Sequence, residues 1–314
     1  LKSPVIAEEP YRAGFLRLTA AGDPPVPVSV WYPTTEAAGS FEAGPYTIAA
    51  VPNAPPAPGR HRLVVISHGS SGSDLGHHDL AEFLARNGVV VVAPRHLGDS
   101  FDKPRGAGAQ QLITRPWQIV ATLDAVLADA RLTDVIDPAR IGMAGFSAGG
   151  YTTLVIAGAR PRFELWPAHC AEHPDDRELC SGMPPPGAPV PLPTGKLPEE
   201  TRIKAAVAMA PLGVMFDAAG LATIGIPMRV YEAVDDRVLV NAWNAEHVIG
   251  LLPRPPEHAT VPGGHYVFLA PCLADLAAAE PHLCVDAPGV DRAQIHAQIN
   301  AEILDFFNRT LGSN

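Results

Sequence analysis

At 314 residues, 47% hydrophobic and 18% charged, the chain is too apolar to be disordered and long enough to bury a large core, about 75% of its unfolded surface. A net charge of −10 with no basic cluster argues against nucleic acid as a partner, because that binding rests on Lys and Arg neutralising phosphates. No apolar run approaches the roughly 18 residues of a membrane span, and the first residue is Leu1 rather than Met, as a removed leader would leave it.

Gly14 to Thr19 and Val26 to Tyr32 read as two strands joined by Ala21-Gly22-Asp23-Pro24-Pro25, an antiparallel hairpin at a sheet edge. Pro52, Pro55, Pro56 and Pro58 make Pro33 to Arg60 a loop. Leu63 to Ser67 is a short buried strand that runs directly into His68-Gly69-Ser70-Ser71-Gly72. Leu75 to Asn87 has helical spacing, with Leu80, Phe83 and Leu84 on one face and Gly88 as C-cap. His77 and His78 at its start diverge in direction, which fits capping or solvent exposure better than a metal. Val89 to Pro94 is the next strand. His96 to Arg115, rich in glycine, proline and charge, is expected as an exposed loop over the strand ends, where His96 and Asp99 either contact a ligand or anchor the loop. Pro116 to Asp129 follows as a helix opening on its proline, with Val120, Leu123 and Leu127 on the buried stripe.

The most informative stretch is Ile141-Gly142-Met143-Ala144-Gly145-Phe146-Ser147-Ala148-Gly149-Gly150. Arg140 to Ala144 has the character of a parallel strand covered on both faces, and Ser147 to Ala157 that of a helix. A turn tight enough to lift the Ser147 hydroxyl above a sheet leaves no room for side chains two residues either side, and Gly145 and Gly149 provide that room. Acyl-transfer chemistry also needs backbone donors aimed at a developing oxyanion. The amides of Ala148 and Ser70 are the expected pair, with Ser71 the nearby alternative, and His68 is expected to be structural. Strands alternating with helices at this spacing predict a mostly parallel α/β sheet wrapped on both sides, in a single domain.

Pro161 to Arg202 breaks the pattern with Cys170, Cys180 and a run of prolines that includes Pro184, Pro185 and Pro186, and is expected to be a lid-like insertion. Ile203 to Met209 resumes the sheet. Met228 to Glu232 is the next strand, and Asp235 lies three residues beyond its end, with Asp236 the fallback; either carboxylate could orient a histidine on a later loop. Val240 to Ile249 is the next helix. A last strand, His258 to Val261, leads to Pro262-Gly263-Gly264-His265, whose glycines let the imidazole reach Ser147. Val290 to Thr310 is an amphipathic helix with Ile295, Ile299, Ile303 and Phe307 on one side. The four cysteines fall into two local pairs, Cys170 with Cys180 and Cys272 with Cys284. As disulfides each would stabilise by roughly 2–3 kcal/mol and would indicate an oxidising compartment, periplasmic or secreted. No C-x-x-C or H-E-x-x-H spacing supports a metal site.

Val65-Ile66-Ser67-His68-Gly69, Val91-Val92-Ala93-Pro94, the glycine-flanked Ser147 and Gly264-His265-Tyr266 give the chain its likeness. From about Leu63 onward it resembles the α/β-hydrolases, and more narrowly a dienelactone-hydrolase-related group that is also similar to platelet-activating-factor acetylhydrolases. The resemblance implies Ser147 as nucleophile, His265 as base and Asp235 as acid. Dienelactone hydrolases carry cysteine where this chain has Ser147, so a lactone substrate is not carried over. Together these residues imply a serine hydrolase of the carboxylesterase or lipase-like kind, acting on a small-molecule or polymeric ester through an acyl-enzyme, with no diffusible cofactor. The alternatives are an amidase or peptidase on the same residues and a non-catalytic binding module.

Overall fold

The computed structural model describes residues 9–102, 108–184 and 188–312. Pro185 and Pro186 of the insertion, and residues 103–107 of the loop after His96, lie outside them. The strands are β1 (Arg12–Ala20), β2 (Val26–Thr34), β3 (Phe41–Ala43), β4 (Tyr46–Ile48), β5 (Val51–Pro52), β6 (His61–Ser67), β7 (Val89–Pro94), β8 (Ile136–Phe146), β9 (Ile203–Met209), β10 (Met228–Ala233) and β11 (Glu257–Val261). The helices are α1 (His78–Arg86), α2 (Gln111–Ala128), α3 (Ala148–Ile156), α4 (Leu165–Glu172), α5 (Arg177–Cys180), α6 (Ala218–Leu221), α7 (Ala245–Leu251), α8 (Ala274–Ala279), α9 (Pro281–Cys284) and α10 (Arg292–Leu311).

Successive side chains of a strand point to opposite faces, so the unbroken apolar runs of β6, β7 and β8 must be covered on both sides. They are. Val64, Ile66, Val91 and Ala144 pack with Leu80 and Leu84 of α1 and with Ile295, Ile299, Ile303 and Phe307 of α10. On the other face Leu63, Val65, Val92 and Met143 meet Ile119, Leu123 and Val126 of α2, while Ala206, Ala208 and Val230 meet Leu154 of α3 and Val248 of α7. Each fully buried aliphatic or aromatic side chain contributes about 1.5–3 kcal/mol relative to exposure. Gly142 makes the α10 contact possible, because a Cβ there would lie 2.5 Å from the Phe307 ring.

The sheet has nine strands in the order β11-β10-β9-β8-β6-β7-β2-β1-β5, with β3 and β4 forming a separate hairpin. β6 through β11 are mutually parallel, whereas β2 runs antiparallel to β7 and to β1. Val28 of β2 pairs with Pro94 at the end of β7, so the β1–β2 turn sits at the rim where the parallel strands end. At the far end, Arg62 at the start of β6 donates to Asn308 and to the Gly312 carbonyl, tying down the end of α10.

Three expectations need correction. Pro33 to Arg60 is not loop throughout but contains β3, β4 and β5. α2 starts at Gln111, five residues before Pro116, because the carbonyl that a proline leaves without an amide is satisfied from elsewhere: Leu112 O accepts the Tyr151 hydroxyl at 3.0 Å. Among the described residues, His96 to Arg115 is not exposed loop throughout: His96, Ser100 and Arg115 are fully buried, and its last five residues belong to α2.

Candidate active site

β6 and β8 are in register, with Ser67 opposite Gly145, so the segments leaving their ends emerge side by side. The strand-to-helix turn at Ser147 takes φ 57° and ψ −118°, a conformation that costs a non-glycine residue about 1–3 kcal/mol. It is held from several sides. Ser147 N–H donates to Met209 O at 2.9 Å, and Ser147 O accepts from Leu212 N at 3.1 Å. A Cβ on Gly145 would lie 2.2 Å from Gly149 O, and one on Gly149 would lie 1.9 Å from Ser67 O. The two glycines therefore do what the sequence pattern required of them.

The Ser147 hydroxyl donates to His265 Nε2 at 3.0 Å, and His265 Nδ1–H donates to Asp236 Oδ2 at 2.7 Å. His265 is buried, its ring 4.7 Å from that of Phe146, and the half-buried Ser147 is the end of the chain that solvent reaches. The other carboxylate oxygen, Asp236 Oδ1, accepts the amides of Val238 and Leu239 at 3.0 and 2.8 Å. This hydrogen-bonded order fixes the neutral tautomer of the imidazole and leaves Nε2 free to take the serine proton.

The carboxylate that His265 meets is Asp236, not the expected Asp235. Asp235 is exposed, and its amide donates to Gly263 O at 2.9 Å. The reason is one residue of strand length: β10 continues through Ala233, and the turn in which Asp236 N donates to Ala233 O sends the second carboxylate inward. A carboxylate three residues past the strand end is thus Asp236.

The glycine-rich loop after β6 passes directly beside the turn, and a Cβ on Gly69 would stand 3.3 Å from Ser147 Cβ. Ser71 N–H, the alternative donor, is engaged by Asp99 Oδ1 at 3.1 Å. His68 is structural. Its Nδ1–H donates to Gly69 O at 2.7 Å, its Nε2 accepts the His96 amide at 3.0 Å, and burial together with the charge of Arg115 holds its pKa well below the ordinary histidine value. His77 is buried rather than solvent-facing, and burial brings its pKa down to about 4.

Sequence reasoning missed Arg115. The signal was present, because Leu112, Arg115, Ile119 and Val126 share the buried side of α2, and a cation at such a position needs a partner inside the protein.

Both expected disulfides are formed, Cys170–Cys180 and Cys272–Cys284. The first joins α4 to α5 within the insertion, where Leu179 reaches the core and the rings of His169 and His173 pack on Trp243, 4.9 and 4.4 Å between centroids. Later residues of the insertion bind α2, through Trp117 Nε1–H to Lys196 O at 2.8 Å. Among the described residues, His169, Asp176 and Cys180 bring ligand-type atoms within 4.8 Å of one another. Cys180 is consumed by its disulfide and His169 donates to Asp176 at 2.9 Å, so the cluster is structural.

No protein-family model matches the sequence, and no curated protein matches it. Solved structures do: a ferulic acid esterase from Streptomyces cinnamoneus superposes with a TM-score of 0.64 at 20% identity, over 99% of this chain and 93% of that one. The chain therefore has the α/β-hydrolase fold, a mostly parallel sheet with helices on both faces. With 1102 solved chains matching, the fold alone does not select a substrate.

Proposed function

We propose that the protein is a serine carboxylic-ester hydrolase. The observation that carries this reading is the unbroken hydrogen-bonded chain from Ser147 through His265 to Asp236, anchored beneath a strained turn. Ser147 attacks the ester carbonyl as His265 Nε2 takes its proton, and Asp236 stabilises the imidazolium that forms. The amides of Ser70 and Ala148 bind the oxyanion, with Ala148 at the positive end of the α3 dipole. Collapse of the tetrahedral adduct expels the alcohol, protonated by His265, and leaves an acyl-enzyme. Water, activated by the same imidazole, then releases the acid. These steps call on no diffusible cofactor or metal.

An ester is the substrate class named for the ferulic acid esterase of like fold, and an amide is the competing substrate that the same residues could attack. Kinship with the dienelactone-hydrolase-related and acetylhydrolase-like group, a lid role for residues 161–202, and a periplasmic or secreted location belong to the same reading; the two disulfides support the last. The test is turnover of p-nitrophenyl esters of rising chain length, with labelling by a fluorophosphonate probe. Wild type should turn over and label, and Ser147→Ala should do neither while keeping its circular dichroism spectrum. Turnover at the wild-type rate by Ser147→Ala would overturn the assignment.

A further inference from the structure

One buried guanidinium touches both of the segments that would receive an oxyanion. Arg115 on α2 is fully buried, and each of its three nitrogens donates inside the protein. Nε–H donates to Thr152 Oγ1 at 3.2 Å, on the helix whose first residue is Ala148. Nη2 donates to the His68 carbonyl and, at 3.4 Å, to Ser67 Oγ, where β6 passes into the glycine-rich loop. Nη1 donates to Asp99 Oδ2 at 2.7 Å. Asp99 carries the linkage into the loop itself: its Oδ1 accepts the Ser71 amide at 3.1 Å, and its Oδ2 accepts the Ser70 hydroxyl at 3.4 Å. Ser71 has φ 55°, a left-handed conformation that a serine keeps only when its surroundings impose it.

We propose that Arg115 and Asp99 are positioning residues that hold the Ser70 amide at a fixed separation from the Ala148 amide, so that the two donors meet the oxyanion together. The inference rests on the ester-hydrolase reading above. A planar fork suits this task, because its donors leave in set directions and one rigid group can register α2, α3 and the loop at once. The neighbouring protons follow a single pattern. His96 Nδ1–H donates to Gln118 Oε1 at 2.9 Å, and Ser67 Oγ–H donates to His96 Nε2 at 2.8 Å, leaving the Ser67 oxygen to accept from Arg115. Both His68 and His96 are held neutral by burial and by the guanidinium, so the charge in this network is the Arg115–Asp99 pair alone. Backbone contacts reinforce it: Gly72 bridges to Ser100, and Phe101 N–H donates to Gly72 O at 2.9 Å.

Asp99→Asn and Arg115→Lys test this with a chromogenic ester and an aryl trifluoromethyl ketone, whose adduct with Ser147 carries the oxyanion. A displaced donor lowers kcat by about 100-fold and leaves KM near the wild-type value. The ketone should lose affinity by the same factor as kcat/KM. A control, Asp137→Asn, disturbs another ion pair, with Arg140 at the start of β8 at the opposite end of the sheet, and should lower Tm without changing kcat. If neither charged variant folds, Thr152→Val removes the Nε acceptor and should show the same split at about fivefold. Wild-type kcat in the variants, or a fall in kcat with ketone affinity unmoved, overturns the positioning role alone. A wild type that turns over no ester overturns the parent reading and this one with it.

Discussion

The Tyr151 hydroxyl donates to the Leu112 carbonyl, the oxygen that Pro116 leaves without an amide four residues later. One side chain of α3 thereby allows α2 to run uninterrupted through a proline and locks the helix behind Ser147 to the helix that carries Arg115. Tyr151→Phe leaves that buried carbonyl unpaired and should cost about 1–3 kcal/mol in urea denaturation. Pro116→Ala restores an amide at the right spacing. The double variant should therefore lose less stability than Tyr151→Phe alone, and equal losses would show that the carbonyl is satisfied by other means.

Asp235 and Asp236 are adjacent but inequivalent. Asp236→Asn keeps the shape and removes the charge that stabilises the imidazolium, so kcat on an ester should fall by about 10⁴-fold. Asp235→Asn changes an exposed side chain and should leave kcat close to wild type. Steady-state kinetics of the two variants side by side would expose a wrong assignment as a reversal of that order.

Gly149→Ala would push a methyl group to 1.9 Å from the Ser67 carbonyl, and backbone on both sides cannot yield. The expected cost is about 3 kcal/mol or more, seen as reduced Tm and reduced soluble yield. Gly225→Ala is the contrast, with open space around the position, and should fold normally.

A second, partly buried ion pair gives a pH signature. His296 Nδ1–H donates to Asp79 at 2.6 Å and Nε2–H donates to Val267 O at 2.8 Å, so both ring nitrogens act as donors. Burial lowers the His296 pKa, but the Asp79 carboxylate outweighs it and the net shift is upward. Burial raises that of Asp79, but His296 outweighs it and the net shift is well downward. The stabilisation from His296 is complete below about pH 6.5, the unfolded value, and is lost as pH rises through the higher folded value. That from Asp79 is complete above about pH 3.9 and is lost as pH falls through the lower folded value. Asp79→Asn should cost about 3 kcal/mol at pH 6, and the gap from wild type should narrow by pH 9. Denaturant melts at both pH values check this, and a constant gap would contradict it.

Much of the architecture was legible because local pattern and final environment agree. The apolar runs of β6 and β7 and the four-residue repeat of Ile295, Ile299, Ile303 and Phe307 in α10 read directly as buried surface. Ser147 was legible for a different reason: Gly145 and Gly149 answer a steric demand at its turn, and that demand leaves a mark in the sequence, whereas His265 stood out by the flexible Gly263-Gly264 before it and its place after the last strand. The acid was harder. Its position depends on where β10 ends, and Ala233 has no side-chain feature that marks a strand end. The stretch from His96 to Arg115 misled most, since glycine, proline and charge ordinarily signal solvent, whereas here Asp99 and Arg115 meet each other inside the protein. Composition cannot report a partner that lies far away in sequence, such as Thr152 for Arg115.

The lashing of α10 to the foot of β6 through Arg62 has a practical side. It anchors Gly312 at the floor of the molecule, while Ser147 opens at the ceiling. A tether attached beyond Gly312 and bound to a bead would hold the molecule upright with its mouth facing the medium. A graft into the β1–β2 turn would instead set an obstacle beside that mouth.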